Sequence, residues 1–198
     1  MRLPMLARIF LALIALPLLH GCIAVVAGGA ATGAGVAHDR RSFGRIVEDR
    51  NLQLSVLDKV NHDKELVRDN NHIKIVVYDS VMLLCGQVRS AELKQRVQTV
   101  AESFEGVTRL VNDIEVTDEP QGFWRRRQDN AQSARVKTAL LDITSMPGFD
   151  PTRINVTTAH GVVYLMGIVS HEEDQAATDI VRNISGVDKV VKLFEYTD

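Results

Sequence analysis

Aromatic residues are scarce: Phe, Trp and Tyr together make up 5% of the 198 residues, and there is one tryptophan. The interior must therefore be built mainly from aliphatic side chains. A basic excess is also missing. With 23 Lys and Arg against 25 Asp and Glu, the formal charge is −2, which argues against a nucleic-acid binder. His20, His38, His62, His72, His160 and His171 include no His-x-x-x-His pair, and no Cys-x-x-Cys exists, so the usual zinc arrangements are absent. There is no Gly-x-Ser-x-Gly elbow and no phosphate loop. Carboxylate pairs such as Glu172-Glu173 fall at predicted helix starts, where the helix dipole favours them. No catalytic residue, metal or cofactor is expected, and the chain does not read as an enzyme.

The composition that is present, 45% hydrophobic and 24% charged, suits one ordinary domain or two small ones. Residues 48–119 carry nine Lys and Arg against fourteen Asp and Glu, and residues 129–198 carry six against ten. Beyond Arg2 and Arg8, the remaining basic residues form two clusters, Arg40-Arg41-Arg45 and Arg125-Arg126-Arg127. Two acidic bodies thus have basic flanks, which read either as solvated linkers or as contact patches.

At the N-terminus, Arg2 and Arg8 precede an eleven-residue apolar run, Ile9 to Leu19. This is the length of a signal-peptide hydrophobic region and short for a spanning helix. It ends in Leu19-His20-Gly21-Cys22, which resembles the lipobox of bacterial lipoproteins. The resemblance implies a signal peptide at 1–21, cleavage after Gly21, and diacylglycerol with acyl chains on Cys22. An uncleaved anchor is the alternative, because residues 9–37 hold no acid, Lys or Arg. Pro17 and Gly28, Gly29, Gly33 and Gly35 make a helix there poor. Ile23, rather than Asp, follows the cysteine; in enterobacterial lipoproteins Asp there favours inner-membrane retention, so the resemblance implies the outer membrane. Residues 22–47 read as a lipidated, Ala/Gly-rich tether.

The mature chain contains an internal repeat. Ile73–Val88 and Ile154–Val169 align at an offset of 81, matching apolar positions and the glycines Gly86 and Gly167. Phe104-Glu-Gly-Val and Ile184-Ser-Gly-Val align at 80. Each copy begins with an amphipathic helix, through Leu52, Val56 and Val60 in one and Gln132, Val136, Ala139, Leu140 and Ile143 in the other. Two β-rich segments follow, hinged at Asp79-Ser80 and His160-Gly161. A second helix (Leu93, Val97, Val100, Ala101 and Phe104; then Ala177, Ile180, Val181 and Ile184) leads to a last strand. Ser170 and Glu173 have capping-box spacing. The order is αββαβ, twice: an α+β fold of two small domains, each a three-stranded mixed sheet covered on one face by two helices. The expected divisions are 48–118, a linker at 119–128, and 129–198. Cys85, among Leu83, Leu84 and Gly86, reads as a buried, inert thiol.

Val81, Leu83, Leu84, Gly86 and Val88 with Gly106-Val107, and Val163, Leu165, Gly167 and Val169 with Gly186-Val187 and Val190, resemble the BON domain. Two such copies behind a lipobox and an Ala/Gly tether are similar to the dual-BON outer-membrane lipoproteins of proteobacteria. This implies a non-enzymatic protein on the periplasmic face of the outer membrane that supports envelope integrity. It further implies anionic phospholipid contact through the second domain, or association with outer-membrane assembly or division proteins. In the adaptor alternative, exposed sheet faces or edges recruit those proteins without lipid recognition.

The patch that suits such contact is Phe123-Trp124-Arg125-Arg126-Arg127, where Trp favours the membrane interface and Arg pairs with lipid phosphate. The other reading is a linker whose Phe123 and Trp124 tuck onto a domain surface. In lipid-binding relatives the contact lies on the first helix of the second domain with an exposed aromatic near its start. The matching position here is Ala131, with Arg135 one turn on; the aromatic lies upstream.

Overall fold

The computed structural model describes residues 39–198 apart from 69–70, 121 and 144–145. Cys22, the expected signal peptide at 1–21 and the tether up to residue 38 lie outside the described residues. Helix α1 (Phe43–His62) starts where the Ser42 hydroxyl accepts the Arg45 N–H at 3.2 Å, and buries Asp49, Val56 and Val60. It stops at Asp63, whose carboxylate accepts the Glu65 and Leu66 N–H groups and opens a single turn, α2 (Lys64–Val67). Strands β1 (His72–Tyr78) and β2 (Val81–Val88) pair antiparallel. Their turn residues Asp79 and Ser80 both have positive φ, +48° and +63°, the geometry that follows the twist of a tight hairpin. Helix α3 (Ala91–Glu102), capped by Ser90, returns the chain so that β3 (Arg109–Val116) runs parallel to β2.

The second copy repeats this plan. Helix α4 (Phe123–Leu141) is followed by a 3-10 turn (Pro151–Arg153), β4 (Ile154–Ala159) and β5 (Val162–Val169). Helix α5 (His171–Val181) carries the expected Ser170/Glu173 capping box, and β6 (Lys189–Tyr196) closes the sheet parallel to β5. The two mixed sheets have the orders β1-β2-β3 and β4-β5-β6, as the αββαβ reading requires. The repeated glycines answer to close approach: a Cβ on Gly86 would collide with the His72 carbonyl, and one on Gly167 would meet the Arg153 carbonyl oxygen at 2.6 Å.

Both first helices begin earlier than the sequence divisions. Helix α1 takes in residues 43–47, assigned to the tether, and α4 takes in residues 123–128, assigned to the linker. The burial period of α4 runs through Asp129, Gln132, Val136 and Leu140. One turn upstream that stripe meets Arg126, so the apolar pattern gives no sign that the helix continues.

The helices cover one face of each sheet around aliphatic cores, with Val56, Leu84, Val97 and Ile114 in one and Val136, Leu165, Val181 and Phe194 in the other. The opposite faces are not open, contrary to the exposed faces assumed for an adaptor. Tyr78, Val81, Leu83 and Cys85 pack against Ala159, Tyr164, Met166 and Leu193 in a third core between the repeats. Arg40–Asp198 is accordingly one compact unit with four layers, helix, sheet, sheet, helix. Polar contacts also cross it. Tyr164 Oη donates to Asp113 at 2.9 Å, Tyr78 Oη to the Arg153 carbonyl at 3.2 Å, and Lys74 Nζ to the Thr158 carbonyl at 2.6 Å. Burial pushes the Cys85 thiol up to about 12, in keeping with an inert side chain.

Candidate functional site

Helix α4 has features that its own stability does not explain. Gly122 precedes it without a side-chain cap, no acid lies in its first turn, and Arg125 and Arg126 do, with Arg127 just beyond. Positive charge near a helix N-terminus is unfavourable by about 0.3–1 kcal/mol per group. Phe123 and Trp124, in the same turn, are 56% and 74% exposed, so they do not tuck onto a domain surface. Their rings meet edge-on at 5.5 Å, and the Arg127 guanidinium lies 5.3 Å from the Phe123 centroid.

At about 100° per residue, Trp124, Gln128, Ala131 and Arg135 fall on one stripe of α4, all exposed. The aromatic upstream and the position matched to relatives therefore share a face. The three consecutive arginines do not. Arg127 stays with Phe123. Arg125 lines a hollow of about 400 Å³ with Ala131 and Arg135, beside the His160-Gly161 turn. Arg126 turns inward, and its Nε is buried without a hydrogen-bond partner, as is His72 Nε2. Burial first, then the charges of Lys74 and Arg126, bring the His72 pKa down to about 4. Of the sequence candidates, Phe123, Trp124, Arg127, Ala131 and Arg135 therefore present to solvent on α4, Arg125 lies at the edge of the hollow, and Arg126 belongs to the packing between the repeats.

The other basic cluster is also taken up by the fold. Arg40 donates to both oxygens of Glu173, at 2.6 and 3.1 Å, and to the Ile168 carbonyl at 2.9 Å. Arg41 pairs with Asp49 at 2.9 Å and lies over the Tyr78 ring at 3.7 Å. Arg45 reaches the Ser80 hydroxyl at 2.9 Å. Residues entering the body at Arg40 are thus strapped across both repeats. Burial alone would raise the Glu173 pKa; the hydrogen bonds from Arg40 and the Ser170 N–H, with the nearby Arg153, outweigh it and hold the carboxyl below its ordinary value.

Sequence reasoning missed a pair of buried carboxylates. Asp49, 3% exposed, accepts the Asp79 and Ser80 N–H groups at 2.7 and 3.0 Å. Asp129, 5% exposed, accepts the His160 and Gly161 N–H groups at 3.1 and 3.5 Å. Each ties the first helix of its repeat to the hairpin turn. Their spacing of 80 matches the repeat offset and was the available signal. Among the described residues, no group of three or more His, Cys, Asp or Glu side chains could hold a metal, and no helix is long and apolar enough to cross a membrane.

Comparison with known proteins agrees with this architecture. The BON domain family matches at residues 48–118 and 128–198. The chain is 32% identical over 180 residues to the outer membrane lipoprotein DolP of Haemophilus influenzae, covering 91% of each chain. It is 31% identical over 158 residues to a 21 kDa hemolysin of Actinobacillus pleuropneumoniae, covering 80% of this chain and 79% of that one. Osmotically-inducible protein Y of Escherichia coli is 29% identical over 133 residues, covering 66% of this chain and 63% of its own.

Proposed function

Because the chain belongs to the BON-domain family, with two copies in one body, we propose that it is a non-catalytic envelope lipoprotein of the outer membrane. In this reading acyl chains on Cys22 hold it on the periplasmic face, and α4 of the second domain contacts anionic phospholipid. The likeness to a protein named as an outer membrane lipoprotein supports the location. The observation that carries lipid contact is the exposed Phe123–Trp124 pair beside Arg127 on an uncapped helix start. Two aromatics suited to the interface and nearby cations form a weak surface contact, about 1 kcal/mol per basic residue. That is too little to anchor a protein, but enough to orient one already held by acyl chains. The adaptor reading, which relied on sheet faces or edges, is left with the edges, since the faces pack against each other.

Two experiments test this. Palmitate labelling should mark the wild-type chain and not Cys22→Ser; absence of label from the wild type rejects the anchor. In vesicle flotation, the body comprising residues 38–198 should bind phosphatidylglycerol vesicles at low salt and release with added salt. No binding to anionic vesicles rejects lipid contact.

A further inference from the structure

Helix α1 carries a second apolar row that its core does not use. Its buried face runs through Asp49, Val56 and Val60. Phe43, Val47, Arg50, Leu54, Leu57 and Asn61 are spaced four and three apart in turn, which keeps them on one side of the helix, about a third of a turn from that face. Phe43, Val47 and Leu54 are 67, 41 and 44% exposed, Arg50 is exposed, and none of the six is acidic. Single exposed apolar residues are ordinary on a surface, but an aligned row marks a contact. The equivalent row of α4, 80 positions on, has Arg127 for Val47, Ala134 for Leu54 and Lys137 for Leu57. Helix α1 thus holds the apolar version of the row and α4 the cationic one.

The two rows border the same side of the body. Leu57, late in α1, lines a hollow with Asn130 and Ser133, early in α4, over the strand residues Ile73–Val76 and Val156–Thr158. Arg41, just before α1, lines another with Lys137 and Leu141, late in α4. The helices therefore run in opposite directions along one cleft whose floor is the edge strands β1 and β4.

We infer that the α1 row is a second membrane-contact surface, in which Phe43, Val47 and Leu54 enter the interfacial layer of the bilayer that holds the acyl chains. The contact works by apolar burial and does not choose among headgroups, unlike the cationic start of α4. The inference rests on the membrane-attached reading above, and its test separates the two. Helix α1 is the first described element after the anchor. Arg40, which straps the chain to the body, is eighteen residues beyond Cys22, at most about 60 Å of extended chain, so the bilayer is within reach of this face. With no acid in the row, no carboxylate has to be desolvated there, and Arg50 in its middle suits lipid phosphate. One helix resting on a membrane can roll about its axis. Two antiparallel rows fix the orientation of the body, with the far sheet edges β3 and β6 turned toward the periplasm.

The full-length acylated protein is reconstituted in phosphatidylcholine nanodiscs with and without phosphatidylglycerol. A photoreactive benzoylphenylalanine replaces Leu54 in the row, Ser55 next to it on another side of the helix, or Phe123 at the start of α4, and adducts are identified by mass spectrometry. The expected result is a lipid adduct from position 54 in both lipid mixtures and none from the exposed position 55. The yield at 54 should fall about tenfold in Val47→Asp, which puts a carboxylate into the contact. The adduct from position 123 should instead grow with phosphatidylglycerol. An adduct at 123 with none at 54 overturns the α1 surface and leaves the α4 contact intact, and absence of both overturns both. An adduct at 54 alone upholds the α1 surface and removes the α4 contact. Equal yields at 54 and 55, an adduct at 54 that requires phosphatidylglycerol, or a cross-linked second copy in place of lipid would each overturn the inference. Protection of Cys85 from alkylation, measured on each variant, reports that the fold is retained.

Discussion

Asp49 and Asp129 hold the two helix-to-turn junctions with charge-assisted hydrogen bonds in nearly water-free positions. Removing either carboxylate leaves two backbone N–H groups short of a partner, at a cost of about 1–3 kcal/mol each when they stay buried. Asp129→Ala should therefore lower stability by about 2–4 kcal/mol in urea unfolding, and Asp129→Asn by less, because the amide oxygen still accepts. Titration acts at this scale as well. His72 is held neutral in the folded state down to about pH 4, whereas its unfolded value is 6.5. Between those values the unfolded chain binds more protons, so the stability is fully present above 6.5 and is lost as the pH falls toward 4. Glu173 and Asp174 extend the trend. Burial opposes their ionisation, but Arg40 and Lys192 respectively outweigh it and lower both pKa values. Their contribution is present above the unfolded carboxylate pKa and disappears as the pH falls through the folded one. The urea midpoint should thus decline in two stages on acidification, and His72→Gln should flatten the upper stage alone.

At the level of the element, α4 sets local stability against contact. Arg125, exposed in the first turn, sits where a helix disfavours positive charge. Arg125→Glu should therefore raise the stability of the body by about 0.3–1 kcal/mol while weakening its binding to anionic vesicles. Opposite signs in urea unfolding and flotation would distinguish a contact residue from a structural one; a fall in both would count against the assignment. Trp124→Ala should weaken flotation without moving the urea midpoint, since the ring is 74% exposed. Most elements were legible because each buried stripe repeats with a regular period, as in Val97 and Ala101 of α3. The first turn of α4 was not, because its inward position is occupied by Arg126 and its aromatics face solvent. Ala131 and Arg135 could be named from the resemblance, but the separation of Arg125, Arg126 and Arg127 depends on helix phase, which adjacency in sequence conceals.

For the whole molecule, the core between the sheets decides cooperativity. Leu83 and Met166 are fully buried there, so Leu83→Ala and Met166→Ala should each cost about 2–5 kcal/mol. Both should shift a single unfolding transition rather than split it, observed together by far-ultraviolet circular dichroism and hydrogen exchange in both repeats. Two separate transitions in the wild type would contradict a shared core. Cys85 offers an independent probe: buried, with its thiol pushed up to about 12, it should react with iodoacetamide only as fast as the body opens.

The sequence by itself determined the repeat, the αββαβ order, the hairpin turns and the resemblance to BON domains, because each is written in local periodicity and short-range backbone preference. A sign of the third core was also present: the run Val81-Met82-Leu83-Leu84-Cys85 is apolar at both parities, which a strand covered on one face does not require. Which surface covers the second face was not encoded locally. Tyr78 meets Arg153, Tyr164 meets Asp113, and Arg40 meets Glu173 across 75, 51 and 133 residues. Only the tertiary structure decided those pairings. Packing the two sheets together removes apolar surface that neither repeat can bury alone, and that closure leaves the outer side of α4 facing solvent.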